Sequence, residues 1–239
     1  MISSSGGRRS GKRRSVWVEP LEPRQLFAAS LVTAAQAPYH GTPFVVPTSG
    51  SVTIQAEDFD TGGEGVAYHD VDATNNGGKY RTSEGVDIES TSDGGAGGYN
   101  VGWTRAGEWL EYTIHVNAAQ RYNLAFRVAS AGSNATFHAE IDGSDLTGTL
   151  TMPNTGAAQN WKTVTKTAVP LAAGDHVLRL KMDANGTNGA IGNFNYVQIS
   201  QGVVPPPARI VPTSTTAYVQ DGASANTNFG SAVQLWLSA

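Results

Sequence analysis

Cysteine is absent from this sequence, which excludes disulfides, thiolate metal sites and a cysteine nucleophile. The absence identifies no compartment, because secreted bacterial domains often do without it. Charge is sparse, at 15% of residues, so the Glu, Lys and Arg that favour helices are in short supply. No apolar run approaches the roughly 20 residues that a membrane-spanning helix needs. Aromatic residues make up only 8%, but hydrophobic residues reach 39%, too many for a disordered chain. What is plentiful is glycine, 28 of the 239 residues, with Thr, Asn and Ser throughout. That profile suits many short strands joined by tight turns, in one substantial domain with flanking segments.

Positive charge is nearly confined to one place. Five of the 16 basic residues (Arg8, Arg9, Lys12, Arg13 and Arg14) lie in the first fourteen positions, leaving 11 against 20 acidic residues in the body. A basic arm of this kind is either a nucleic-acid tail or the start of a targeting segment. The acidic body argues against a phosphate-binding surface, so no nucleic-acid partner is expected. Residues 16–29 make a poor ordinary signal peptide, since Glu19, Glu22 and Arg24 interrupt the apolar stretch. The run from Leu21 to Phe27 (Leu-Glu-Pro-Arg-Gln-Leu-Phe) resembles the LEPR motif near the N-termini of large exported bacterial proteins. Residues 1–47 are therefore read as an export segment and linker, and the protein as secreted or held at the cell surface.

From about 48 to 201 the pattern is strand-like. Leu110, Tyr112, Ile114 and Val116 alternate with Trp109, Glu111, Thr113 and His115; Tyr122, Leu124, Phe126 and Val128 repeat the device. Phe137, Ala139 and Ile141 do the same, as do Leu178, Leu180 and Met182. Period-two alternation puts one face of each strand in a core and the other in water. Turn signals such as Asn76-Gly77-Gly78, Asp93-Gly94-Gly95 and Asp142-Gly143 lie between them. The fold class is all-β, an antiparallel β-sandwich or jelly roll. Residues 202–211, with Pro205-Pro206-Pro207, read as a stiff linker. Residues 212–239, with Ala217–Gln220 and Leu235–Leu237 as strands, read as the truncated opening of a second β module. The whole is expected to be a monomer within a longer multidomain chain.

Five separated stretches then fall in one order: Ile54-Gln55-Ala56-Glu57, Asn75–Glu89, Gly98–Thr113, Asn154–Val164 and Gly192–Ile199. Together they resemble carbohydrate-binding module family 6 over about 150 residues. Family 35, of related fold, is the nearest look-alike. The resemblance implies a jelly roll, a structural Ca2+ ion, and a sugar-binding cleft at the loop end.

Sugar rings offer C–H patches to a flat aromatic face, and their hydroxyls need polar partners. Trp103, past the Gly-Tyr-Asn-Val-Gly strand, matches the family's stacking aromatic; on composition alone it would pass for a core residue. Asn193 matches the asparagine that hydrogen-bonds the sugar. Tyr68, His69 and Asp70 occupy a loop from which the family often supplies a further polar contact. Trp109 and Trp161, inside strands, read as packing residues. At Ala158, beside Ala157, the sequence departs from the family, which commonly has a second tryptophan there to complete an aromatic sandwich. The departure predicts weaker binding, a changed ligand, a site moved to the concave sheet face, or loss of the site.

Gln55 and Glu57 are spaced i, i+2 and would leave the same face of one strand. They match the family's calcium ligands, Asn195 matches the usual aspartate near the last strand, and a backbone oxygen near Arg81 is a further candidate. Calcium takes 6–8 oxygens, and Asn in place of Asp keeps an oxygen but removes a charge.

Three functional readings follow: a non-catalytic module that tethers a larger protein to a polysaccharide or oligosaccharide, an adhesion or spacer module, and part of a glycoside hydrolase. Hydrolysis needs two carboxylates facing each other at roughly 5–10 Å. Asp87, Glu89, Glu108, Glu111 and Glu140 are available, but Glu108 and Glu111, at i, i+3 in a strand, would point to opposite faces. No catalytic residue is nominated. The sequence does not name the sugar.

Overall fold

The computed structural model describes residues 1–2, 35–94 and 97–202. The LEPR-like motif, the proline linker from 203 and the second module expected from 212 lie outside the described residues.

Among the described residues thirteen strands follow one another: β1 (Phe44–Val46), β2 (Ser51–Gln55), β3 (Tyr68–His69), β4 (Ile88–Ser90), β5 (Tyr99–Val101), β6 (Trp109–Val116), β7 (Gln120–Ala129), β8 (Thr136–Ile141), β9 (Ser144–Asp145), β10 (Leu150–Thr151), β11 (Lys162–Leu171), β12 (Gly174–Ala184) and β13 (Asn193–Gln201). One sheet runs β1-β6-β12-β8-β10, with β3 sharing the β1 edge of β6 and β9 lying on β8. The other runs β11-β7-β13-β5-β4, with β2 also on β13. All pairings are antiparallel except β1 with β6. This is the expected all-β sandwich.

The alternation read from the sequence decides which atoms form the core. Leu110, Tyr112, Ile114 and Val116 on β6, Tyr122, Leu124, Phe126 and Val128 on β7, and Leu178, Leu180 and Met182 on β12 are all buried. Phe137 of the first sheet stands edge-on between Phe126 and Phe194 of the second, at ring distances of 5.4 and 5.2 Å. Edge-to-face geometry sets the positive ring edge against a negative face, so three aromatics stitch the sheets together. The β8–β9 hairpin turns at Asp142-Gly143, both at positive φ (49° and 77°), the combination a type I′ turn requires.

Ordered packing begins before residue 48. Val46 is fully buried, Phe44 pairs with Ile114, Gln36 Nε2 donates to Asp60 at 2.8 Å, and Ala37 bridges to Thr61. Arg81 lies across the Tyr39 ring at 4.4 Å. A fragment of residues 35–202 should therefore melt above one of residues 48–201. Burial of Val46 alone contributes about 1.5–3 kcal/mol, so the longer fragment should gain several degrees by calorimetry or circular dichroism. Equal melting temperatures would show that β1 contributes nothing.

Candidate functional site

The strands of the second sheet end together and set the site. Asn193, the first residue of β13, pairs with Ala129, the last of β7. Phe194 pairs with Val101, the end of β5, and Glu89 of β4 pairs with Asn100. Beyond Val101 the chain turns at Gly102 and Trp103. These ends enclose an open cleft of about 250 Å³ whose lining includes Trp103, Glu89, Asn193, Ala158, Ser130 and Asn188.

Trp103 is 45% exposed and holds φ at 50°. A bulky residue in the left-handed region is a strained choice that persists where the surroundings impose it. The exposure rules out the core reading. Asn193 is buried, and both of its amide hydrogens are used: Nδ2 donates to Glu89 Oε1 at 2.7 Å and to the Ala158 carbonyl at 2.9 Å. Gln159 Nε2 also donates to Glu89 Oε1, at 2.8 Å, and to Asn100 Oδ1 at 3.0 Å. A Cβ on Gly102 would stand 3.3 Å from both Asn193 Oδ1 and Glu89 Oε1, so this network leaves little room for a side chain there.

Trp103, Asn193 and Ala158 thus come together as the sequence suggested, and Glu89 joins them. Sequence reading treated Glu89 only as a carboxylate available to a hydrolase. Nothing local says which loop end Glu89, in the short strand β4, would reach.

Tyr68, His69 and Asp70 do not line this cleft. Tyr68 is a buried core ring against Phe59, 5.2 Å between centroids, and its hydroxyl accepts from Gly85 N at 3.2 Å. His69, alternating outward, pairs with Glu64 and lies beside Trp109. Trp109 itself is covered by the Arg179 guanidinium at 4.4 Å, and Arg179 is held by Glu111 at 2.8 Å. Glu108 precedes β6, in the turn that follows Arg105, so the expected strand placement holds only from Trp109.

Asp70 belongs to a carboxyl cluster. One carboxylate oxygen from each of Asp70, Asp72 and Asp87 lies within 4.8 Å of the others, and Glu108 accepts from Arg105 N at 2.9 Å beside them. Each cluster carboxyl already accepts from the chain: Asp70 from Asp72 N, Asp72 from the Asn76 amide, and Asp87 from Asn76 N and Nδ2. Burial first, then repulsion from neighbouring carboxylates, pushes Asp70 up to about 6 and Glu108 up to about 8, and raises Asp87. A carboxyl whose folded pKa lies above its unfolded value binds more protons when folded, so its contribution to stability falls as pH rises. Melting temperature should therefore decline between about pH 4.5 and 8, the window set by those shifts. Glu108→Gln should flatten the upper part of the decline; a slope unchanged by that substitution would place its origin elsewhere.

A second set of residues meets where β2 ends beside β13. Gln55 pairs with Tyr196. Glu57 lies not on the strand but in the single 3-10 turn that follows it, Ala56–Asp58. Asn195 is the extra residue of a β-bulge between Phe194 and Tyr196, which turns its side chain inward, fully buried. Gln55 Oε1, Glu57 Oε2 and Asn195 Oδ1 are buried with no hydrogen-bond partner. Orphaned buried oxygens of this kind are costly, and three on adjacent elements suit a hard cation that binds through oxygen. Burial, with Asp58 adding to it, raises the Glu57 pKa to about 8, as befits a carboxyl lacking a counter-charge. Gly97 closes against it: a Cβ there would lie 3.0 Å from Glu57 Oε1. Asp93, kept acidic chiefly by Arg127, accepts from Asn195 Nδ2 at 2.9 Å and anchors the same loop. The Arg81 side chain is spent elsewhere, on Glu84, the carbonyls of Phe59 and Asp60, and the Phe59 ring; its fork suits those fixed acceptors. The Arg81 carbonyl accepts from Glu84 N at 3.2 Å.

A two-sheet sandwich with an exposed aromatic over a small, mainly apolar cleft carrying a few polar groups at its loop end has the form of a ligand-binding β module. Residues 76–201 match the model of carbohydrate binding module family 6, and the chain belongs to that family. It is 30% identical to a family 6 module of a Cellvibrio mixtus lichenase, solved with cellotriose, covering 64% of this chain and 98% of that one at a TM-score of 0.47. The C-terminal module of a marine laminarinase from Zobellia galactanivorans is 28% identical, covering 64% and 100%, at a TM-score of 0.48. The clotting factor G alpha subunit of Tachypleus tridentatus is 32% identical over 124 residues, 51% of this chain and 17% of that protein. A cycloisomaltooligosaccharide glucanotransferase of Niallia circulans is 30% identical over 104 residues, 44% of this chain and 10% of that one. The chain thus spans a small part of these two curated relatives. Among the described residues, no helix is long and apolar enough to cross a membrane.

Proposed function

We propose that this chain binds a polysaccharide or oligosaccharide in the Trp103 cleft without cleaving it, as one module of a longer exported protein. The observation that carries this reading is the exposed Trp103 ring, on a backbone held at positive φ, beside Asn193 and Glu89. The ring supplies a face for the C–H side of a sugar, and the polar residues supply partners for its hydroxyls. Among the described residues, Glu89 is the one carboxylate lining the cleft, and a single carboxylate lacks the pair that glycoside hydrolysis uses. Ca2+, bound by Gln55, Glu57 and Asn195, would hold the end of β2, the bulge of β13 and the Gly97 loop together, as a structural ion rather than a ligand contact.

The test is a panel of β-glucans, xylans and galactans offered to residues 35–202 by affinity gel electrophoresis, with reducing-sugar release measured alongside. The related Cellvibrio module was solved with cellotriose, which makes β-linked glucans the first choice. Retardation by at least one glycan without sugar release is the expected result. Sugar release that survives repurification and is abolished by changing one carboxylate would make the chain an enzyme.

A further inference from the structure

We infer that the Trp103 cleft selects neutral glycans and rejects those bearing uronate or sulfate groups, and that Glu89 sets this choice. Glu89's role presupposes that the cleft is the sugar site. Glu89 Oε1 takes hydrogen bonds from Asn193, Gln159 and, at 3.4 Å, Asn100. All three donors are uncharged amides. Glu89 Oε2 takes none from the described residues. Among the described residues the lining contains no Lys or Arg, so none of them places a cation within the cleft to offset the carboxylate.

The amide donors beside Glu89 that could have served an anion are spent. Both amide hydrogens of Asn193 go to Glu89 and the Ala158 carbonyl, and both of Gln159 go to Glu89 and Asn100. What Asn193 and Glu89 still offer are acceptors, Oδ1 and Oε2. Acceptors suit hydroxyl groups, which donate; carboxylate and sulfate oxygens only accept. The surroundings add to the effect. Asp87 precedes Glu89 by two residues, its carbonyl accepts from Gly102 N at 2.9 Å, and it sits in the carboxyl cluster with Asp70 and Asp72. Arg105, exposed beyond Trp103, is the nearest cation in sequence, and its charge acts on Asp87. Like charges facing one another across a binding surface suppress the wrong partner, an effect that salt screens.

Matched polymers test this directly: laminarin against carboxymethylated β-1,3-glucan, hydroxyethylcellulose against carboxymethylcellulose, and arabinoxylan against glucuronoxylan. The neutral member should bind at least about tenfold more tightly, and the gap should narrow as salt rises. Glu89→Gln keeps an oxygen for Asn193 and Gln159 and replaces the other with an amide donor; it should shrink the gap severalfold by strengthening the anionic member. Arg105→Gln should leave the gap in place or widen it. Equal binding of both members by a protein whose binding still depends on Trp103 overturns charge selection alone, as does a gap unchanged in Glu89→Gln. Binding indifferent to Trp103→Ala overturns the cleft itself, and charge selection with it.

Discussion

Trp103→Gly should abolish detectable glycan binding and change the melting temperature little. The ring is 45% exposed, so its removal sacrifices only part of the buried area whose full loss, at a core tryptophan, costs about 3–5 kcal/mol. Its φ of 50° is one that glycine adopts freely and other L-residues adopt at a cost of roughly 1–2 kcal/mol. Glycine therefore removes the platform and relieves the backbone in one step. Trp103→Ala removes the ring without the relief and serves as the comparison. With one aromatic face, affinity for a single site should be near millimolar, about −4 kcal/mol, so loss of the stacking contact takes binding below detection. Useful retention on a polysaccharide then depends on several modules in one chain. Ala158 lines the cleft, so Ala158→Trp should tighten binding, by up to about tenfold if a second face contributes its usual 0.5–1.5 kcal/mol. Calorimetry on the glycan chosen by the panel reads all three variants. Normal binding by a folded Trp103→Gly protein would move the site to the concave sheet face.

Chelation should lower the melting temperature, and added calcium should restore it. A ligand at a hundredfold excess over its dissociation constant stabilises the folded state by about 2.7 kcal/mol. For a domain of this size that is about 5–10 °C. The effect arises because Gln55, Glu57 and Asn195 each bury an oxygen that nothing in the described chain satisfies. Glu57 is the only carboxylate among them, so affinity should be moderate. Glu57→Gln should abolish the response to calcium yet leave the metal-free melt as high or higher, because an uncharged amide is cheaper to bury. Glycan binding should survive Glu57→Gln once the protein is folded, since this group does not line the Trp103 cleft. A melting temperature indifferent to chelator and calcium alike would remove the ion from the account.

Much of the sandwich was legible in the sequence because side-chain alternation is a local property. The runs Leu110–Val116 and Tyr122–Val128 declared their buried faces residue by residue, and Asp142-Gly143 declared its turn. The family resemblance extended this to Trp103, Asn193 and Ala158, which the fold does bring to one cleft. The start of the folded unit was not legible in the same way. β1 is three residues long and pairs in parallel with β6, and so short a segment carries no periodicity to read.

Glu57 and Asn195 mark the same boundary from inside the site. Strand spacing placed Gln55 and Glu57 on one face, but the chain leaves the strand at Ala56 and brings Glu57 in through a 3-10 turn. Asn195 is buried next to Phe194 only because a bulge inserts one residue against β7, a feature set by how two strands register. Tyr68 and Glu89 exchanged roles for a related reason. Each looked plausible from its neighbours, but the pairing of β3 with β6 sends Tyr68 into the core, and the pairing of β4 with β5 carries Glu89 to the cleft. The sequence by itself determined the long strands, their inward faces and the family, since these depend on residues a few positions apart. Tertiary structure alone decided which loop ends meet, because that depends on strand order and register between residues as distant as Glu89 and Asn193.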